Sequence, residues 1–345
     1  MVFSASAITA RDQYGDAYYF LIRQLLWTAL GIAGMFWLMR TDYHKLRQPR
    51  VIFGGLSITL VLLIAVYFLD RSHETHRWIR LGPLSLQPSE LAKLVVIFYL
   101  AWFLETRSAP QGPGVNNLPR TLVPILGTVM VIMALIYKEP DLGTAFMVFF
   151  IAAVMLFVAG LSYRYIVAAV LVAVPVVYFA IASVAYRLQR VHAFFSPGSD
   201  PQGHGFQLLQ SLIAVGSGGF TGVGLMESRQ KLFFLPEAHT DFIFSVICEE
   251  LGFIGAVVIL VLFAVYGWRG FQAAMKAPDD FGRFLGIGVT TMVVGQALIN
   301  LSVVLGLLPT KGIPLPFISY GGSSLLGMLL ATGVLLNISQ QADVT

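Results

Sequence analysis

Charge is what this sequence has least of. Asp, Glu, Lys and Arg make up 12% of its 345 residues, 18 acidic and 22 basic, where soluble domains carry about a quarter. That is too little to coat a water-soluble surface of this size. Cysteine is scarcer still: Cys248 stands alone in an apolar stretch, which excludes disulfides and cysteine-ligated metal sites. Neither a cleavable leader with a basic start nor a lipidation box is expected, and repeats, heptad arrays and low-complexity tracts are missing. These absences exclude a soluble enzyme, a nucleic-acid-binding module and a disordered chain. What fills the sequence is apolar: 57% of it is hydrophobic, the composition of a membrane protein. The net charge of +4 then reads as loop anchoring rather than as the mark of a polyanion partner.

A bilayer crossing needs about 20 largely apolar residues, and such segments recur along the chain. Nine complete spans are expected, near 19–39, 51–69, 89–104, 121–137, 142–160, 166–185, 243–266, 284–308 and 325–338. The fold class is an all-α polytopic membrane protein, organised as a single transmembrane domain over 1–345 with one large outer segment at 186–242. Loops 40–50, 105–120, 161–165 and 267–283 hold ten Lys/Arg in 49 residues, against ten in 105 on the other side. Arg40, Lys45, Arg47 and Arg50 crowd one short loop, so by density that side is cytoplasmic. The apolar opening Met1–Thr9 is too short to cross. It reads as the tail of a helix whose beginning is absent, which would restore ten spans.

Ionisable groups at membrane depth cost several kcal/mol, and most of those here cluster toward the outer face. Glu90 and Lys93 follow Ser89, a candidate cap, and share a helix face at i and i+3, as a neutralising pair or as contacts to a substrate headgroup. Asp141, behind Pro140, can cap the next helix. Glu249 and Glu250 lie about 100° apart and are read as packed or paired, with catalysis as the other option. Arg23 can snorkel. Arg187, Arg190, Arg229, Lys231 and Lys311 are either solvated loop charges or a set of phosphate grips. Gly216, Gly218, Gly219, Gly222 and Gly224 are not followed by Gly-Lys-Ser/Thr, so they read as tight turns or close backbone approach. Asp241, where the outer segment enters a span, is a helix cap or a general base. His239 beside it lacks three-ligand spacing for zinc.

These motifs, in this order, resemble the SEDS family (shape, elongation, division and sporulation), whose members polymerise bacterial peptidoglycan glycan strands. The match covers essentially the whole chain. It rests on His76-Arg-Trp-Ile-Arg80 with Gln87-Pro-Ser-Glu90, Glu139-Pro-Asp-Leu-Gly-Thr144, Tyr186-Arg-Leu-Gln-Arg190, Leu235-Pro-Glu-Ala-His-Thr-Asp-Phe-Ile-Phe244 and Pro316-Phe-Ile-Ser-Tyr-Gly-Gly-Ser-Ser324. Phe3-Ser-Ala-Ser6, Phe20-Leu-Ile-Arg-Gln24 and Ser228–Asp241 resemble the division branch more than the elongation branch.

The resemblance implies a glycosyltransferase at the outer face of the bacterial cytoplasmic membrane, with lipid II as substrate and no organic cofactor. The acceptor sugar hydroxyl attacks the anomeric carbon of the lipid-pyrophosphate donor with inversion, and the family's catalytic aspartate falls on Asp241. Lys93, Arg187, Arg190 and Lys311 are candidates to take up the pyrophosphate charge, with a divalent cation, Mg2+ or Mn2+, as a further candidate. Glu90, Ser319 and Tyr320 complete the expected substrate contacts. The implied partners are a class B penicillin-binding protein, other division proteins and membrane lipids. Glycines 286, 288 and 295 allow close helix approach, either by the partner's anchor helix or by other helices of this chain. A lipid II flippase or an elongation-type polymerase is the alternative reading.

Overall fold

A computed structural model describes residues 1–70, 77–81, 84–109, 112–196, 205–232 and 234–342, and they are overwhelmingly helical. His76 and Phe233 of the motifs above lie outside the described residues. The helices are α1 Val2–Tyr14, α2 Tyr19–Arg40, α3 Pro49–Leu69, α4 Pro88–Ser108, α5 Val123–Lys138, α6 Leu142–Val158, α7 Tyr163–Ala182, α8 Ala185–Phe195, α9 Phe206–Ser217, α10 Ile243–Met275, α11 Asp280–Val304 and α12 Gly322–Ala342. All nine expected spans coincide with helices. Seven are long and apolar enough to cross a membrane. The other two are α4, which carries Glu90, Lys93, Glu105 and Arg107, and α6, which has 17 residues. Val2–Thr9 form the first eight residues of α1, a helix of 13 residues.

The chain condenses into two compact units. One comprises Arg23–Leu161, Ala264–Gly295 and Gly321–Thr345. Within it α4 packs against α3, α5, α6 and α12, and Ala92, Val96, Ile97, Leu100, Ala101 and Leu104 are wholly buried. A helix buried around most of its circumference is an inner one. Pro88 in its first turn presets the helical φ. That starts the helix before Ser89, so the expected serine cap does not form: its hydroxyl is buried without a partner among the described residues. Of the two uses open to the α11 glycines, packing within the chain is the one seen. A Cβ at Gly286 would lie 2.8 Å from Ala274 Cβ, at Gly288 2.6 Å from Ile97 Cγ2, and at Gly295 2.6 Å from Phe150 Cε1. The protein's own helices use this small-residue surface. One short antiparallel hairpin, Ile79–Leu81 with Leu84–Leu86, pairs Arg80 opposite Ser85; three-residue runs carry no periodicity that a sequence reading could find.

The other unit comprises Met1–Ile22, Ser162–Phe263 and Gln296–Tyr320. Here the expected outer segment 186–242 is more than a solvated loop. It forms α8 and the apolar α9, and residues 218–231 fold back along α10. That helix, expected as one continuous span, is broken at Gly252, whose φ of 65° and ψ of −161° no helix contains. The break orphans backbone groups on both sides, which at membrane depth is tolerable only if protein supplies partners. The 218–224 turn supplies them. Val223 and Gly224 donate N–H groups to the carbonyls of Glu249 (2.9 Å) and Glu250 (3.1 Å), and Phe253 and Ile254 donate to those of Gly219 (3.0 Å) and Phe220 (3.3 Å). So close an approach needs glycine on both partners. A Cβ at Gly252 would sit 2.3 Å from Gly222 N, and one at Gly222 would sit 2.1 Å from Glu250 O.

Gly252→Ala therefore has to move backbone. Positive φ alone costs about 1–3 kcal/mol, and the collision adds to it, so the variant should lose thermal stability in detergent. Gly54→Ala is the control: this glycine lies in α3 with nothing within 4 Å of an added Cβ, and the change should stabilise by about 0.5–1 kcal/mol. Equal unfolding temperatures for the two variants would contradict the clasp.

Candidate functional site

Asp241 stands at the head of α10, half-buried. Its backbone is held from three directions in succession. Tyr320 N donates to the His239 carbonyl at 2.9 Å, the Ser319 hydroxyl to the Thr240 carbonyl at 2.5 Å, and the Asn300 amide to the Asp241 carbonyl at 2.7 Å. Ser319 and Asn300 are braced in turn, and Gln296 adds a tie to the same loop. Ser319 Oγ accepts from Leu315 N, Asn300 Nδ2 also reaches the Ile313 carbonyl, and Gln296 Nε2 donates to the Pro314 carbonyl. The Pro- and Gly-rich last loop is thus tied to α11 by two amides and to the 239–241 segment by the Tyr320 N–H and the Ser319 hydroxyl.

The Asp241 carboxylate faces the backbone beside Lys311. A Cβ built on Gly312 would lie 2.8 Å from Asp241 Oδ2, so glycine there keeps the approach open. Below it the His239 ring sits against Phe20 (4.8 Å) and Tyr320 (5.8 Å). Burial lowers the His239 pKa, and Glu237 opposes the shift. The imidazole is therefore a neutral wall of the site near pH 7.

Of the expected site residues, Asp241, Lys311, Ser319 and Tyr320 come together here. Ser319 is 4% exposed and its hydroxyl is engaged with main chain on both sides, which assigns it to holding the loop. Arg187 and Arg190 lie one turn apart on α8; Arg187 Nη1 donates to the Ala180 carbonyl at 2.8 Å. Lys231 leaves the list of phosphate grips. It is buried against Glu250 at 2.9 Å, the pairing expected for one of the two glutamates, though from a loop residue. Asn300 and Gln296, 1% and 0% exposed, were not singled out in the sequence. Two amides at i and i+4 inside an apolar span are the signal that points to them.

Glu90 and Lys93 belong to the other unit, where they form the expected ion pair, with Nζ 2.9 Å from Oε2 and 3.0 Å from Oε1. Asp141 caps α6 as expected, accepting from Thr144 N (3.0 Å), Thr144 Oγ1 (2.7 Å) and Gln87 Nε2 (3.0 Å). Beside it, in the α5–α6 turn, Glu139 is 1% exposed and neither carboxylate oxygen has a hydrogen-bond partner among the described residues. Arg77 donates to the Glu139 and Pro140 carbonyls instead. Burial, then Asp141, push the Glu139 carboxyl up to about 8 against the pull of Arg77. Among the described residues no three His, Cys, Asp or Glu side chains gather to hold a metal ion.

Residues 1–344 match the family model of the FtsW/RodA/SpoVE cell cycle proteins, the SEDS group whose motifs run through this sequence. The chain belongs to this family. It is 44% identical to a probable peptidoglycan glycosyltransferase FtsW of Geobacter metallireducens, over 100% of this chain and 91% of that protein. It is 42% identical to stage V sporulation protein E of Bacillus subtilis, over 99% and 92%. Among solved structures, a chain described in the structural coordination of polymerization and crosslinking by a peptidoglycan synthase complex superposes with a TM-score of 0.77 at 31% identity, covering 99% of this chain and 95% of that one. The rod shape determining protein RodA of Thermus thermophilus gives 0.68 at 29%, covering 98% and 93%. The chain is therefore a multi-pass membrane protein of a known fold.

Two predictions follow from the buried charges. Alanine at either Glu90 or Lys93 strands a buried charge and should destabilise by about 3–5 kcal/mol, with the double variant losing much less than the sum; additive effects in thermal unfolding would mean two independent residues. Glu139 holds its proton more tightly folded than unfolded, so its contribution is complete below its ordinary value of 4.5 and is lost as pH rises through about 8. The unfolding temperature should fall across that window in the native chain and much less in Glu139→Gln. An unchanged slope in the glutamine variant would contradict the assignment.

Proposed function

We propose that this chain is a peptidoglycan glycosyltransferase that polymerises lipid II at the outer face of the bacterial cytoplasmic membrane. The observation that carries the reading is the carboxylate of Asp241, held at the head of a span by three consecutive main-chain anchors and facing the Lys311–Gly312 backbone. Names of the relatives, which include a probable peptidoglycan glycosyltransferase, support the reaction class. A carboxylate fixed to this degree, at a partly desolvated helix start, suits a general base. It would take the proton of the acceptor sugar hydroxyl as that oxygen attacks the anomeric carbon of the donor. One bond forms, the anomeric carbon–pyrophosphate bond breaks, and configuration inverts. Pyrophosphate leaves as a stabilised anion and needs no carboxylic acid to protonate it, unlike the paired carboxylates of a glycosidase. Lys311, Arg187 and Arg190 are the cations of this unit assigned to that charge.

The density of Arg40, Lys45, Arg47 and Arg50 supports a cytoplasmic 40–50 loop and an outward-facing Asp241. The resemblance to division members supports a septal role, and likeness to a chain studied in a complex that couples polymerization to crosslinking supports a class B penicillin-binding protein as partner. Asp241→Asn tests the reading. The purified variant should bind lipid II and unfold at the native temperature while polymerisation falls by at least about 10²–10⁴-fold. Near-native product would remove Asp241 as the base.

A further inference from the structure

The segment that delivers Asp241 leaves α10 and returns to it. Ser228–Lys231 lies against Glu249 and Glu250, and the chain then runs through 232–240 to Asp241 at the head of that same helix. Glu249, 2% exposed, receives the Ser228 hydroxyl on Oε2, the Arg229 N–H on Oε1 at 3.0 Å and the Gln230 N–H on Oε2 at 3.4 Å. Glu250, 1% exposed, takes both Lys231 Nζ (2.9 Å) and the Ser4 hydroxyl (2.5 Å) on Oε1, and Lys231 Nζ also donates to Ser4 Oγ at 3.0 Å. Two adjacent carboxylates therefore grip four consecutive loop residues. The backbone carbonyls of the same two glutamates are gripped by the 218–224 turn. The far end of the loop is fixed by Asn300, Ser319 and Tyr320.

We infer that Glu249 is a positioning residue for Asp241. By accepting three donors from Ser228–Gln230 it sets where the loop starts, and so where the carboxylate at its other end stands. Glu250 with Lys231 and Ser4 closes the same joint as a charge-neutral unit. The inference rests on the reading of Asp241 as general base. Glu249 lies six residues into α10 from Ile243, roughly 9 Å along the axis, so it acts through the loop and touches neither donor nor acceptor. All three of its partners are donors. An amide in its place would turn an NH2 toward hydrogens, and the loop would shift. Displacements of about 1 Å at a reacting group cost on the order of 100-fold in rate.

The test is steady-state polymerisation of lipid II by the full-length purified chain as native protein, Glu249→Gln, Glu249→Asp, Ser228→Ala and Asp241→Asn. For Glu249→Gln the expected result is kcat lower by about 100-fold with KM unchanged within about threefold and the acid limb of the pH–rate profile kept, because Asp241 still titrates. Glu249→Asp should recover part of kcat. Ser228→Ala removes one donor of three and should lower kcat in the same direction by less. A native kcat in Glu249→Gln, or a loss that appears in KM alone, overturns the inference. If Glu249→Gln does not fold, Ser228→Ala decides: folded with native kcat, it overturns the inference too. No polymer from the native chain would sink the glycosyltransferase reading itself, whereas native polymer with an insensitive Glu249 sinks only the positioning role.

Discussion

A broken span is the constraint on which the rest of the unit holding Asp241 depends. Once Gly252 interrupts α10, the last carbonyls of one half and the first N–H groups of the other have no helical partners, and lipid offers none. The 218–224 turn answers with four main-chain hydrogen bonds. That requirement explains the glycines at 218, 222 and 252 better than any phosphate-loop analogy, since a side chain at each would collide with backbone. It also brings 228–231 to the level of Glu249 and Glu250, so that two carboxylates in an apolar span find a lysine, two hydroxyls and two amides. The loop that carries Asp241 starts from this joint.

The buried polar groups sort by what satisfies them. Glu90 is matched by Lys93, Asp141 by the first turn of α6 and Gln87, and Glu250 by Lys231; each is a structural solution to charge at low dielectric. Asn300, Gln296 and Ser319 are engaged with main chain and convert an irregular Pro/Gly loop into a fixed wall. Asp241 has its backbone carbonyl held by Asn300 and its carboxylate turned toward Gly312. Rigid placement of one reactive group by many unreactive ones is the pattern of a catalytic mouth.

Most of the architecture was legible because long apolar runs declare spans by length alone, and all nine helices stand where the hydropathy put them. The Asp141 cap was legible for a local reason: a proline followed by an aspartate has one common use at a helix start. What escaped depends on partners far away in sequence. Nothing in Ile243–Val258 marks Gly252 as non-helical, since a lone glycine in an apolar run is ordinary; only the 218–224 turn makes it a break. Ser89 was misread as a cap because Pro88 moves the helix start by one residue. Lys231 looked like a solvated loop cation until Glu250 and Ser4 enclosed it. The glycines of α11 left a partner helix and internal packing equally open, and Ile97, Phe150 and Ala274 of this chain fill their face.

The most direct measurement incubates the purified full-length chain, in detergent and without a partner, with labelled lipid II as the only substrate, and resolves the products by size. A polymerase with Asp241 as its base yields a ladder of glycan strands that a muramidase degrades, together with undecaprenyl pyrophosphate. Lipid II recovered unchanged, together with its movement across liposome bilayers containing the same protein, would contradict the assignment and leave a transporter in its place.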